Sequence, residues 1–248
     1  MVPTLIVILG LVVGSFLNVV IYRLHVGGGF VAGRSYCPHC KHSLATTDLV
    51  PLVSFILLRG RCRYCRKKIS WQYPLVESAT ALLFLIFYLA HGLTLPLLVY
   101  AVYGCFLMVI FVFDLRYYLI LDKVSVPAMV VAALGSLFIL KISALHLLTG
   151  ALIGAGFFLV QFLVSKGKWI GGGDIRLGAV MGLMLGYQQL LVALFIAYLL
   201  GSIIGIGLVM GGKKKMSSQI PFGTFLSLAT VITFFIGSPI VEYYRLMF

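Results

Sequence analysis

The distribution of charge constrains this chain more than any other feature. Asp, Glu, Lys and Arg are absent from residues 1–22, 78–113, 124–140, 142–165, 177–212 and 216–241. A helix rises about 1.5 Å per residue, so crossing roughly 30 Å of hydrocarbon takes about 20 apolar residues. Four of these stretches fit one crossing each. The stretches 78–113 and 177–212 are long enough for two, with natural breaks at HGLTLP (91–96) and GYQQ (186–189). Eight helices are therefore expected. Composition agrees, with 62% hydrophobic and 10% charged residues and a mean hydropathy of +1.13. A soluble domain carries about 25% charged residues, and hydrophobicity this high excludes disorder. The apolar runs are continuous and lack the alternation of a membrane barrel. The run at Met1 has neither a basic n-region nor a small-residue cleavage site, so it reads as a retained helix and not as a signal peptide. The expected fold class is an all-α polytopic membrane protein.

Orientation follows from the basic residues. With the N-terminus outside, the inner loops hold the nine basic residues from Arg23 to Lys68, then Arg116 and Lys123, then Lys166, Lys168 and Arg176, and finally Lys213, Lys214 and Lys215. Only Lys141 and Arg245 remain outside. The positive-inside rule thus gives N-out, C-out. The formal net charge of +13 is explained by inner loops beside anionic lipid, and nucleic-acid binding is not required. Three regions follow: a first transmembrane helix (1–22), a cytoplasmic loop (23–73) and a seven-helix core (74–248).

Four of the five cysteines lie in that loop as two Cys-x-x-Cys knuckles, Cys37/Cys40 and Cys62/Cys65. Zinc takes four thiolates in a tetrahedron, and each knuckle supplies two from a tight turn. The reducing inner compartment argues against structural disulfides. A redox pair is the competing reading, but no thioredoxin-like context accompanies it. A loop this short builds a poor core unaided, so a structural Zn2+ on Cys37, Cys40, Cys62 and Cys65 is expected. His39 and His42 are expected beside the site and not on the metal. Cys105 reads as a small core hydrophobe.

Only six residues are acidic. Asp114 falls where the third expected helix reaches the inner interface, and Asp174 closes GGGD (171–174) where the sixth leaves it. An ionisable group near hydrocarbon is costly and marks function by default. Two carboxylates brought together can share a proton, one activating water while the other donates to a substrate carbonyl. The alternative is structural pairing, Asp114 with Arg116 or Lys123 and Asp174 with Arg176. Asp122 lies eight positions beyond Asp114. On a continuous helix it would point about 80° away after two turns.

GSFLNVVIYRL (14–24), the paired knuckles, DLVPLVSFILLRGRCRYC (48–65), ISWQYPLVE (69–77), FDLRYYLILD (113–122), GGGDIRLGA (171–179) and IPFG (220–223) resemble the bacterial type IV prepilin peptidases in order and spacing. The resemblance spans essentially the whole chain. It implies a bifunctional GxGD-type aspartic protease of the bacterial cytoplasmic membrane, with its active site facing the cytoplasm. Such an enzyme cleaves the basic leader of type IV prepilins or pseudopilins after a glycine. It then N-methylates the new N-terminal residue, usually Phe, using S-adenosylmethionine. The resemblance places the catalytic pair at Asp114 and Asp174, a non-catalytic acid at Asp122, and a methyltransferase-associated role on the 23–73 loop. Two departures stand out: Ile-Leu before Asp122 where the family commonly has Pro at the second position, and Thr224 where it has Pro.

No GxGxxG fingerprint assigns residues to the methyl donor, and Glu77 is expected to cap or orient its helix. The six basic residues from Arg59 to Lys68 would repel a basic leader and suit anionic head groups. The spacings Gly10-x-x-x-Gly14, Gly150-x-x-x-Gly154 and Gly201-x-x-x-Gly205 are expected to allow close helix packing, and they fix no oligomeric state. Three rivals remain. A presenilin-like protease would need a Pro-Ala-Leu companion motif, a transporter would need acids near mid-bilayer, and a thiol oxidoreductase would need its cysteines outside.

Overall fold

The computed structural model of the chain describes residues 1–27, 33–212 and 220–247. Lys213, Lys214 and Lys215, the last inner basic cluster expected above, lie outside the described residues. Regular structure among the described residues is helical apart from two isolated β-bridges. The helices are α1 (Val2–Val26), a short α2 (Val53–Leu57), α3 (Gln72–His91), α4 (Leu95–Tyr117), α5 (Asp122–Leu134, continued by a π-turn over Gly135–Ile139), α6 (Ala144–Ser165), α7 (Gly172–Met210) and α8 (Phe222–Met247). Seven of them are long and apolar enough to cross a membrane. Two compact units divide the chain, Met1–Val109 and Ile110–Phe248, the boundary falling inside α4.

In the first unit α1 packs against α3. A Cβ on Gly10 would lie 2.5 Å from the Ala81 Cα, and one on Gly14 would lie 2.7 Å from the Glu77 Cα. The first of the three small-residue spacings thus brings two backbones together, as van der Waals packing between membrane helices requires. Asn18 is fully buried in this seam. Its amide donates to the Gly14 and Tyr73 carbonyls, and its oxygen accepts from Gln72 Nε2. The polar group is satisfied, which is the condition for burying it.

In the second unit α6 and α7 are in backbone contact. A Cβ on Gly154 would lie 2.2 Å from the Gly178 oxygen, and one on Gly150 would lie 2.7 Å from the Gly182 oxygen. Residue number rises on one helix as it falls on the other, so these segments are antiparallel. Beyond Gly186 the order inverts: Tyr187 lies beside His146 and Gly150, Leu190 beside Gly154, and Tyr198 beside Phe157 and Gln161. The chain therefore turns back on itself at Gly186, the one residue with non-helical dihedrals inside α7 (φ 71°, ψ 171°). A straight 39-residue helix would reach about 58 Å, nearly twice the hydrocarbon thickness. Two antiparallel limbs resolve that excess, and they restore the eighth apolar segment at the GYQQ break. The other expected break also holds, since α3 ends at His91 and α4 starts at Leu95. The third glycine spacing behaves differently. Gly201 and Gly205 receive side chains of Phe222, Phe225 and Ile220 instead of a helix backbone.

Candidate active site and metal centre

The two knuckles are built alike. Cys37 N–H donates to His42 and Cys62 N–H to Lys67, at 3.0 and 2.9 Å. Lys41 N–H returns to Cys37 and Arg66 N–H to Cys62, at 2.9 and 3.0 Å. Tyr36 bridges Ser43, and Arg61 bridges Lys68. Each turn closes through a residue in the left-handed region, Lys41 (φ 59°) and Arg66 (φ 61°). Two equivalent turns thereby face each other with their sulfurs inward. All four Sγ atoms lie within 4.8 Å of one another, Cys37 to Cys65 being 3.9 Å. Tetrahedral Zn–S bonds of about 2.3 Å put sulfurs about 3.8 Å apart, so the donor set fits zinc. The thiols also differ electrically. Burial raises the Cys37 thiol, but the Cys40 and His39 amides outweigh it and bring the value to about 7. At Cys65 the Lys67 amide lowers the value, while burial and the other three sulfurs push it up to about 11. Thiols this close compete to ionise unless a cation is shared among them.

His42 stacks on Tyr64 with centroids 3.7 Å apart, joining the knuckles beside the sulfurs and not through them. Asp48 accepts from Arg63 Nε at 2.7 Å, from Tyr64 and from the Ala45 amide. Burial raises its carboxyl, but the Arg63 hydrogen bond and charge hold it below the usual carboxylate range. Glu77, expected to cap or orient its helix, lies a turn inside α3. It is buried there and takes the Leu52 N–H at 2.9 Å, tying the loop to the helix.

In the second unit both Asp114 and Asp174 are buried. Asp114 sits three residues before the end of α4. Its Oδ2 accepts the Thr224 N–H at 2.7 Å and the Thr224 hydroxyl at 3.1 Å. Thr224 lies in the first turn of α8, where helix N–H groups have no partner within the helix and favour an anion. Asp174 lies in the first turn of α7, and its Oδ2 accepts the Gly171 N–H at 3.0 Å. Both carboxylates are therefore held through Oδ2 at a helix N-terminus.

Ile120, between α4 and α5, connects them. A Cβ on Gly173 would lie 2.8 Å from the Ile120 Cβ, and one on Gly223 would lie 2.8 Å from Ile120 Cδ1 and 3.0 Å from Asp114 Oδ2. Gly173 precedes Asp174 in the chain, so a single side chain touches the glycine beside each acid. The structural pairing of Asp174 with Arg176 does not occur, because Arg176 is paired with Asp122 at the start of α5. Asp114 and Asp122 also do not share a continuous helix. Helix α4 ends at Tyr117, and Tyr118 enters the left-handed region (φ 56°). Asp122 is instead exposed and engaged in this ion pair, whereas Asp114 and Asp174 are buried.

Residues 8–91 match the Bacterial Peptidase A24 N-terminal domain, and residues 101–206 match the Type IV leader peptidase family. The four cysteines fall in the first match, and Asp114 and Asp174 in the second. The "Prepilin leader peptidase/N-methyltransferase" of Bacillus subtilis (strain 168) is 31% identical over 237 residues, covering 96% of this chain and 95% of that protein. The chain belongs to the prepilin leader peptidase/N-methyltransferase family. Proteins of the same name from Aeromonas hydrophila (30% identity, 97% of this chain, 93% of the relative) and Burkholderia pseudomallei (strain 1026b; 32%, 94% and 85%) agree. No solved structure matches the chain. Within the family reading, the sequence did not single out Ile120 as the side chain packed against the glycines beside the acids, or Thr224 as a donor to Asp114. Thr224 could be noticed only as a departure from the expected proline, and Ile120 is one apolar residue among many.

Proposed function

We propose that the chain cleaves the leader of type IV prepilins or pseudopilins after a glycine by aspartyl hydrolysis, and then N-methylates the exposed N-terminal residue. The observation that carries this is that Ile120 packs against Gly173, next to Asp174 in the chain, and against Gly223, which touches Asp114, with each acid buried at a helix N-terminus. One carboxylate removes a proton from water while the other, protonated, donates to the scissile carbonyl. The resulting tetrahedral diol collapses as a proton passes to the leaving amine, which becomes the N-terminus of the mature pilin. The Oδ2 atoms stay with their helix donors, which leaves each Oδ1 for water and peptide.

Depth supports the same reading. Extending the Gly150–Gly182 and Gly154–Gly178 register by four residues sets Asp174 level with Phe158, about 10 Å along α6 from its end at Ser165. With N-out, C-out topology that end is cytoplasmic. A substrate with a basic leader in the cytoplasm and an apolar helix in the bilayer then presents its scissile bond at the acids. The site belongs to a multi-pass protein of the bacterial cytoplasmic membrane. Zn2+ on Cys37, Cys40, Cys62 and Cys65 staples the 23–73 loop, taking no part in hydrolysis. That loop serves the methyl transfer from S-adenosylmethionine, while residues 74–248 carry the peptidase. Its basic residues meet anionic lipid. Mass spectrometry of a purified prepilin incubated with the protein, with and without S-adenosylmethionine, tests both activities: a leader-sized loss in each case, and a further methyl only with the donor. An unchanged prepilin under both conditions contradicts the proposal.

A further inference from the structure

A cleft of about 680 Å³ opens in the first unit between the Leu52–Ile69 segment and the start of α3. Its lining includes the apolar Phe55, Trp71 and Leu75 and the basic Arg59, Arg61 and Lys68. Phe55 packs on Trp71 with ring centroids 5.1 Å apart and lies over Gly60, where a Cβ would meet its ring at 3.1 Å. Leu52, at the head of α2, is fixed to α3 by Glu77. The walls are thus held by a buried carboxylate and an aromatic pair, while Trp71 and Leu75 stay 70% and 64% exposed.

Charge makes the cleft specific. Residues 1–109 contain only two carboxylates, Asp48 and Glu77. Asp48 holds Arg63, and Glu77 holds the Leu52 amide. Arg59, Arg61 and Lys68 consequently have no carboxylate partner among the described residues of this unit. Three uncompensated cations beside exposed aromatic and aliphatic surface call for a ligand that is anionic at one end and apolar at the other. The cleft sits where the Gln72–His91 span begins, the level at which tryptophan anchors a helix and basic side chains meet phosphates. Its volume falls in the range of small-molecule sites. A free phosphate would leave the apolar wall bare. A basic peptide or a sulfonium methyl donor would meet three like charges.

We propose that this cleft binds one anionic phospholipid, its phosphate on Arg59, Arg61 and Lys68 and its upper acyl chains on Phe55, Trp71 and Leu75. Arg61 and Lys68 are bridged partners in the second knuckle, so the lipid fastens the cysteine centre to the bilayer surface. This deepens the lipid contact proposed above and does not depend on the peptidase chemistry.

Native mass spectrometry of the full chain in neutral detergent, titrated with phosphatidylglycerol or phosphatidylcholine, tests it. The wild type retains a single phosphatidylglycerol with roughly tenfold preference, and R59Q/R61Q/K68Q loses that preference. R66Q/K67Q, changed on the same loop outside the cleft, keeps it within about threefold. Because Arg66 closes the second knuckle, the metal content of both variants reports whether the knuckles remain intact. In a Trp169→Phe background, brominated phosphatidylglycerol quenches Trp71 where brominated phosphatidylcholine does not. No headgroup preference in the wild type would refute the anionic-lipid reading as a whole. A preference lost equally in metal-replete R66Q/K67Q, or kept in the metal-replete triple variant, would refute the cleft alone. Displacement of the lipid by S-adenosylmethionine would overturn the assignment in favour of the methyl donor.

Discussion

Thr224 donates twice to one oxygen of Asp114, through its backbone N–H at 2.7 Å and its hydroxyl at 3.1 Å. The first turn of α8 is thereby fastened to the end of α4. A proline, which the sequence resemblance would put at this position, could supply neither donor. Thr224→Val keeps the backbone bond and the side-chain shape and removes only the hydroxyl. Leader cleavage should fall about tenfold or more in kcat with KM nearly unchanged, the value of about one hydrogen bond to a charged group. Steady-state kinetics on a prepilin peptide checks this, and an unaltered kcat would mean that the hydroxyl does not orient Asp114.

Gly186 should be the least replaceable glycine in the second unit. Its positive φ disfavours any side chain, and a Cβ there would lie 2.1 Å from the His146 ring. Gly186→Ala should markedly lower the yield and Tm of the folded protein. Gly156→Ala, where a Cβ meets nothing within 4 Å, should be neutral or slightly stabilising because alanine is the better helix former. Thermal unfolding in detergent compares them.

Purified protein should carry about one zinc per chain at a Zn–S distance of about 2.3 Å. Substituting any one of Cys37, Cys40, Cys62 or Cys65 by Ser should release the metal and expose the loop to protease. Brief treatment with a chelator should leave leader cleavage intact. X-ray absorption and limited proteolysis read these outcomes, and immediate loss of hydrolysis on chelation would place the metal in the reaction.

Asp122 is exposed and paired with Arg176. Asp122→Asn weakens a surface ion pair worth about 1 kcal/mol or less, and leader cleavage should stay within about threefold of wild type. Complete loss in a folded protein would require a different acid pair.

Much of this arrangement is legible in the sequence because charge is costly in a bilayer and glycine is needed where chains turn or touch. The charge-free stretches bound the spans, and both long ones break where they must, at His91–Leu95 and at Gly186. The paired Cys-x-x-Cys turns and two of the three glycine spacings also find their places. Partner choice is what the sequence conceals. Arg176 is two residues from Asp174 yet binds Asp122, and Thr224 is 110 residues from the carboxylate that it holds. Ile120 carries no chemical signature, since its importance comes only from the two glycines packed against it.

The central claim is that Asp114 and Asp174 together hydrolyse the leader. An amide can neither accept the proton of water nor donate a shared one, whereas it enters an apolar bundle more easily than a carboxylate does. Asp114→Asn and Asp174→Asn should therefore insert and fold normally. The decisive measurement is the mass of a prepilin after incubation with each purified variant. Both variants should leave the prepilin intact, cleavage being slowed by about a thousandfold, while a pilin supplied already cleaved is still methylated. Leader release at near wild-type rate by either variant would contradict it.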